Sequence, residues 1–314
     1  MITMDGAAYR RMLLSAAASI ERNKEAINEL NVFPVPDGDT GTNMSMTLNT
    51  AAQDLKRVEN PTLTKAADIA ASAMLRGARG NSGVILSLLF RGFSKALKGL
   101  EETDGVGLAS AINAGVEAAY KAVMKPAEGT ILTVSRLSGA AAAEFAAENP
   151  DLDATLVRAI EAAKEALAET VNQNPVLKKA GVVDAGGMGF VTILEGMLSS
   201  LRGQDIEPPA EGETKAGADF AALTDEDITF TFDTVFIVRK TTDKSIEPFR
   251  AYLSSIGDSL VIGEDDSAFK VHVHTDIPGA ALTEAQKYGT LELAKIENMR
   301  TQYEDMAAGR KPQS

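Results

Sequence analysis

The chain has 314 residues, about twice an ordinary single domain, so two domains are expected. Its formal charge of −13 argues against a nucleic-acid binder, because affinity for a phosphate backbone comes from clustered Lys and Arg. Hydrophobic content of 45% and charged content of 24% are those of a globular chain, and the absence of cysteine excludes disulfides, thiol nucleophiles and zinc-thiolate sites.

No apolar run approaches the roughly 18 residues that span a bilayer. The start, Met1-Ile2-Thr3-Met4-Asp5, lacks the basic-then-apolar layout of a signal peptide. A soluble cytoplasmic protein is the simplest expectation. Histidine narrows the chemistry further. Only His272 and His274 are present, so the first 270 residues cannot assemble Ser-His-Asp or Cys-His catalysis by themselves. Catalysis there must use carboxylates, metals and backbone dipoles.

In chain order, Ala-rich stretches of 3.6-residue period predict helices over 9–30, 44–55, 63–75, 84–97, 108–123, 152–171 and 190–201. Their small residues and apolar stripes suit members of a helical bundle. Pro34 and Pro36 keep 31–39 out of a helix interior, and glycines are expected to do the same for 77–83 and 186–189. The polar stretch around Pro208 and Pro209 reads as a linker over 204–222. Beyond it, β-branched and aromatic residues predict strands over 228–238, 259–262 and 269–274, with helices over 246–256 and 281–288. The expected fold is therefore α+β and multidomain: an all-α domain at 8–203, the linker, a small α/β domain at 223–306 and a polar tail at 307–314. Charge divides unevenly, −3 up to Gly203 and −10 after it.

The segment from Asn31 to Asn43, Asn-Val-Phe-Pro-Val-Pro-Asp-Gly-Asp-Thr-Gly-Thr-Asn, carries the most chemistry. Asp37 and Asp39 flank Gly38 in a tight turn, where two carboxylates can share a hard cation such as Mg²⁺. Gly41, Thr42 and Asn43 then open a helix whose free N–H groups and positive dipole end favour phosphate. An EF-hand loop starting at Asp37 fails, since its sixth and twelfth positions are Thr42 and Leu48. An ordinary loop with a helix cap remains the alternative to a Mg-nucleotide cradle.

Gly77, Gly80 and Gly83 recur three apart before an apolar helix. Gly80, Asn81, Ser82 and Gly83 can bring backbone N–H groups to a phosphate, or simply form a turn with close helix packing. No GxxxxGK[ST] loop or GxGxxG fingerprint occurs, which excludes Walker and Rossmann nucleotide sites. Arg76 and Arg79 are either supplementary cations or solvated surface residues. On a strand, His272 and His274 face one side, as a zinc-type ligand pair or as a hydrogen-bonded face. Asp276 is a candidate acceptor for one of them.

The segment from Asn31 to Met44 resembles the signature of the dihydroxyacetone-kinase nucleotide-binding domain (DhaL-like, DAK2), in the form found in the kinase subunit of bacterial fatty acid kinase. The similarity continues through Leu75–Gly83, Lys125–Leu132 and Gly181–Gly189, then through the VHVHTDIPG and KIENMRTQYEDM segments, covering roughly residues 8–306. The resemblance implies an antiparallel helical barrel binding ATP at one end. Asp37 and Asp39 become Mg²⁺ ligands, with Asn43 as the third catalytic residue and Thr40 and Thr42 near the phosphates. Gly80–Gly83 and Thr130 lie against the nucleotide, and Asp184, Gly186 and Gly187 close its base or ribose side. A further aspartate of the dihydroxyacetone-type relatives is replaced here by Asn31, an amide that can ligate without charge. In the second domain the family's zinc site of two histidines and a cysteine maps onto His272, His274 and Asp233.

The implied reaction is ATP-dependent phosphorylation of a fatty acid carboxylate, presented by a DegV-type lipid-binding partner, to give an acyl phosphate. A dihydroxyacetone-type kinase subunit is the runner-up. A homodimer formed through the second domain is expected. Longer members of the family continue into a third domain that holds the lipid-binding partner. The present sequence stops at Ser314, as a truncation or as a short member acting as a nucleotide-binding, dimer-forming module with little turnover.

Overall fold

The computed structural model describes residues 2–34, 36, 38–209 and 228–307. Asp37, most of the expected linker and residues 308–314 of the expected tail lie outside the described residues.

The first domain contains helices α1 (Gly6–Asn28), α2 (Thr40–Lys56), α3 (Leu63–Gly77), α4 (Gly80–Leu97), α5 (Gly105–Ala122), α6 (Ile131–Glu148), α7 (Leu152–Gln173), the short α8 (Pro175–Ala180) and α9 (Ala185–Leu201). A two-residue ladder joins β1 (Met4–Asp5) to β2 (Glu102–Thr103). Local chemistry explains the helix starts. Asp5, Thr62, Asp104, Thr130, Asp151, Asn174 and Asp184 each accept a hydrogen bond from a first-turn N–H of the helix they precede. The long helices pack in sequence order, and α9 closes on both α7 and α1, so the domain is an up-and-down ring of eight. Its core is built from small residues and Leu, Ile, Val, Met and Phe, among them Leu48, Leu86, Leu108, Val134, Leu156 and Met197.

Two expectations about the glycines are corrected. Residues 80–83 begin α4, and Gly186, Gly187 and Gly189 lie inside the first turns of α9. Glycine is tolerated there because the helices approach too closely for side chains. A Cβ on Gly187 would sit 2.9 Å from Val134 Cγ2, and one on Gly189 2.5 Å from Met44 Sδ. Helix α6, which the periodicity does not predict, packs through Ser135, Ser138, Gly139 and Ala142, whose small size blurs the apolar period.

The second domain has β3 (Phe232–Lys240), α10 (Glu247–Ile256), β4 (Gly257–Glu264), β5 (Ala268–Thr275), α11 (Pro278–Ala285), β6 (Gly289–Asn298) and α12 (Met299–Ala307). The sheet runs β4-β5-β3-β6 and every pairing is antiparallel. One core forms around Phe236, Phe249, Phe269 and Leu253. Strand β6 lies outside the sequence expectation because, as an edge strand, it is largely exposed and shows no clean alternation.

The domains are closely joined. Val261 packs into the core of the ring and pairs with Val123, and the Met124 N–H donates to the Leu260 carbonyl at 3.2 Å. Gly263 lets the sheet approach α3, since a Cβ there would lie 2.7 Å from Leu75 Cδ1. None of the described helices is long and apolar enough to cross a membrane.

The tightest crossing in the ring is between α4 and α5, where a Cβ on Gly92 would fall 1.9 Å from the Gly115 nitrogen. Gly92→Val is expected to destabilise the domain by about 1–3 kcal/mol or more, since backbone must separate. Urea unfolding checks this, and an unchanged midpoint would contradict the assigned crossing.

Candidate functional site

An up-and-down ring places the N-termini of alternate helices at the same end. Those of α2, α4, α6 and α9 meet there, and the β4–β5 side of the second domain covers them. Between lies a cavity of about 420 Å³. Asp39, Thr40, Asn43, Gly80, Asn81, Ser82, Thr130, Asp184 and Gly186 line it from the ring, and Asp233, His272 and His274 from the sheet. The two groups of candidate residues thus share one chamber. Thr42, Gly83 and Gly187 are not among its lining residues. Thr42 instead pairs with Asn28, receiving and giving a bond of 3.0 Å each way.

Buried Asn31 organises the aspartate turn. Its Oδ1 accepts from the Asp39 N–H at 3.2 Å, the Thr40 N–H at 2.9 Å and the Thr40 hydroxyl at 2.5 Å. The amide oxygen considered as a metal ligand is therefore engaged in capping α2. The Thr42 N–H, a usual target for the residue before a helix, donates to Asn28 Oδ1; the Asp39 side chain makes no cap bond of its own, and Asp39 lines the cavity.

Helix α4 also starts without a side-chain cap. Its first residue, Gly80, has φ +60°, and a Cβ there would stand 2.6 Å from Asn43 Nδ2. Asn81 Oδ1 is buried with no hydrogen-bond partner. The uncapped helix end, left-handed glycine and unsatisfied amide oxygen fit a ligand carrying both anionic and donor groups. By contrast α6 and α9 are capped: the Thr130 Oγ1 accepts from the Leu132 N–H at 3.3 Å, and Asp184 Oδ2 from the Gly187 N–H at 2.7 Å. Burial pushes the Asp184 carboxyl up to about 7, against the main-chain N–H groups of Gly187 and Ile131 that favour its charge.

The sheet side carries a compact ligand set. One atom each of Asp233, His272 and His274 lies within 4.8 Å of the others. His272 Nδ1 is 3.0 Å from the Ser259 carbonyl, which can only accept, so this nitrogen bears the proton. Nε2 then points at Asp233 Oδ1, 3.1 Å away but without hydrogen-bond alignment, and that buried oxygen has no other partner. A lone pair facing a carboxylate oxygen is repulsive unless a cation, proton or metal, lies between them. Burial opposes charge on His272, yet Asp233 foremost, with a contribution from Asp39, holds its pKa above the ordinary value. Burial and then His272 push His274 down to about 4, leaving a neutral imidazole suited to ligation. The carbonyl of Ser259 is the outer partner of His272. Asp276, expected in such a role, accepts from the Thr231 N–H at 2.8 Å instead.

Among the described lining residues Lys125 is the only lysine or arginine, facing four carboxylates, Asp39, Asp184, Asp233 and Asp258. Arg76 and Arg79 are not among them, and Arg76 donates to Ser72 on the surface. In the sequence Lys125 merely opens a shared motif and carries no assigned role. Nor does any sequence signal mark Lys270, a residue only 1% exposed, whose amine is pushed down to about 7 by burial and then by Arg79.

Two family models match the chain. The DAK2 domain family matches residues 34–199, and the FakA-like middle domain of fatty acid kinases matches residues 229–306. The chain belongs to the DAK2 domain family, in the branch that carries the FakA-like middle domain. Among its relatives, Protein YloV of Bacillus subtilis is 42% identical over 312 residues, covering 96% of this chain and 56% of the relative. An uncharacterized protein of Staphylococcus epidermidis is 40% identical over the same shares. The chain spans just over half the length of the relatives it matches. Crystal structures of the dihydroxyacetone kinase of C. freundii, native and in complex with AMP-PNP and Mg²⁺, are 18% and 19% identical, each with a TM-score of 0.48 over 62% of this chain and 34% of that one.

The raised Asp184 value has a consequence for stability. The folded state binds this proton more tightly than the unfolded chain, so the associated stability is complete below pH ~3.9, the unfolded value, and is lost as pH rises towards 7. Asp184→Asn is expected to remove a slope of up to about 1.4 kcal/mol per pH unit in that window. Urea unfolding of both proteins from pH 5 to pH 8 tests it; parallel curves would refute the buried charge.

Proposed function

We propose that the chain is the nucleotide-binding part of an ATP-dependent phosphotransferase whose acceptor is a fatty acid carboxylate, presented by a DegV-type lipid-binding partner, with acyl phosphate as product. The observation that carries this reading is the shared cavity. Its ring side offers helix N-termini and carboxylates, the pattern suited to a metal-bound triphosphate. Its sheet side adds an apolar wall, including Phe230, Leu260, Val261 and Met299, which suits an acyl acceptor better than a small polyol.

Asp39, with Asp37 by family resemblance, would hold Mg²⁺, which when bound supplies the positive charge that an acidic cavity with one lysine lacks. Thr40, Asn43 and the first turn of α4 would orient the phosphates, and Asp184 and Gly186 would border the nucleoside. In the transfer, the carboxylate oxygen attacks the γ-phosphorus as the bond to the β-phosphate oxygen breaks and ADP departs. A fatty acid is already ionised at neutral pH, so its attack needs no general base. A hydroxyl acceptor such as dihydroxyacetone would have to give up a proton in the transfer, which a carboxylate acceptor does not.

Asp233, His272 and His274 would hold Zn²⁺, whose role there is to fix the sheet side of the chamber. For the homodimer, edge strand β6 is the candidate surface: among the described residues it has no neighbour on its outer side, and it exposes Leu293 and Ile296.

Transfer from Mg-ATP to a fatty acid preloaded on a DegV-type partner is the test. Asp39→Asn is expected to lower turnover by roughly 10²–10³-fold, the usual size of one lost electrostatic contact in a transition state. Transfer to dihydroxyacetone instead would overturn the acceptor. Binding of Mg-ADP without any transfer would leave a nucleotide module alone. Separately, Co²⁺ added to the metal-free protein is expected to give the visible bands of a tetrahedral site, lost in His274→Ala. Identical spectra for the two proteins would remove the metal from the second domain.

A further inference from the structure

Lys270 is the one lysine or arginine on the buried strand β5, two residues before His272 and on the same face of the strand. It is almost completely buried, and it does not line the cavity. Its amine reaches across the domain boundary, donating to the Arg76 carbonyl at 3.1 Å and, more closely, to the Ala78 carbonyl. Those carbonyls end α3, whose last residue is Gly77 and whose cap residue is Ala78. Two residues later the chain enters Gly80 and the uncapped first turn of α4, which does line the cavity.

Burying an amine is costly, and a methionine or leucine of similar size would avoid that cost. What the amine adds is a fixed position for two carbonyls of the α3–α4 loop. Its Arg79 N–H is held by the Thr47 hydroxyl at 3.1 Å, and the Gly83 N–H returns to the Arg79 carbonyl at 3.0 Å. The sheet thus contributes one of the contacts that hold the α3–α4 corner in shape.

We propose that Lys270 is a positioning residue through which the second domain sets the geometry of the phosphate-binding turn Gly80–Ser82. This rests on the nucleotide reading above. Through it, docking of the sheet and binding of nucleotide become mutually reinforcing, because coupling between two sites is reciprocal. The strand that brings His272 and His274 to the chamber is then also the strand that shapes its phosphate end.

The natural absence of cysteine allows a clean test. Lys270→Met, Lys270→Gln and Lys270→Cys are made in the full chain. The Cys variant is alkylated in denaturant with 2-bromoethylamine, which rebuilds a lysine-like amine, and all proteins are refolded alike. Affinity for Mg-AMP-PNP is measured by calorimetry, and exchange of the amides of residues 79–83 by mass spectrometry without nucleotide.

The expectation is weaker nucleotide binding in Lys270→Met by roughly 5–150-fold, the usual range of intersite coupling, with faster exchange at 79–83 and circular dichroism unchanged. Lys270→Gln should fall between, and aminoethylation should restore both readouts. A folded Lys270→Met with wild-type affinity and exchange overturns the proposal, as does an aminoethylated protein no better than its unmodified parent. Were the wild type itself to bind no nucleotide, the functional reading would fall. The exchange data would still judge Lys270, since they need no ligand.

Discussion

The structure depends on the parity of its ring. Eight helices in up-and-down order must send alternate N-termini to one end, and here those are α2, α4, α6 and α9. Each brings unpaired N–H groups and the positive end of a dipole. No residue has to be placed specially for this: short connections between antiparallel helices suffice. What the sequence adds is selective capping. Thr130 and Asp184 satisfy their own helices, and Asn31 satisfies the start of α2 from outside, while α4 is left without a side-chain cap. The end of the ring is therefore polarised, with one helix start left for a ligand.

The carboxylates gathered at the same end are at odds with an anion site only if cations are ignored. Asp39, Asp184, Asp233 and Asp258 face one lysine in the cavity. At neutral pH a triphosphate would be repelled by this group, unless divalent ions enter with it. Each buried polar arrangement bears the mark of that need. Asp184 is held far above its usual value by burial, and Asp233 foremost holds His272 above its usual value against the burial that opposes charge. Asp233 Oδ1 has no hydrogen bond of its own. In the proposed function these are the places where a cation replaces a missing partner.

Much of this is legible in the sequence, and the gaps have physical causes. The ring helices with regular apolar stripes, such as α1, α3 and α7, are predicted within a few residues of their ends. Helix α6 escapes because Ser, Gly and Ala build its contact surface, so hydrophobicity no longer marks the buried side. The glycines of α4 and α9 suggest loops because glycine disfavours helices in isolation; tertiary crowding, by Thr47 at Gly83 and by Met44, Val134 and Leu167 at Gly187 and Gly189, outweighs that propensity. Residues of the candidate site can be named from local motifs, but that Asp39 and His272 border one chamber is a property of domain packing. So is the role of Lys270, which looks in sequence like an ordinary polar position in an alternating strand.

Domain packing also bears on why the small α/β unit is present at all. In the proposed function, a ring with one open polar end would let water compete with the acceptor for the activated phosphoryl group. The sheet closes that end with apolar residues from β4 and from the segment before β3, and it is fastened by the Val123–Val261 pairing, the Leu260 carbonyl and the Lys270 amine. All three fastenings involve residues of β4 or β5, whose opposite ends reach Asp258 and His274. The metal-type cluster and the corner that leads into α4 are therefore tied to one strand, with His272 and Lys270 two residues, about 7 Å, apart. In this arrangement the second domain forms half of the chamber and supports the other half.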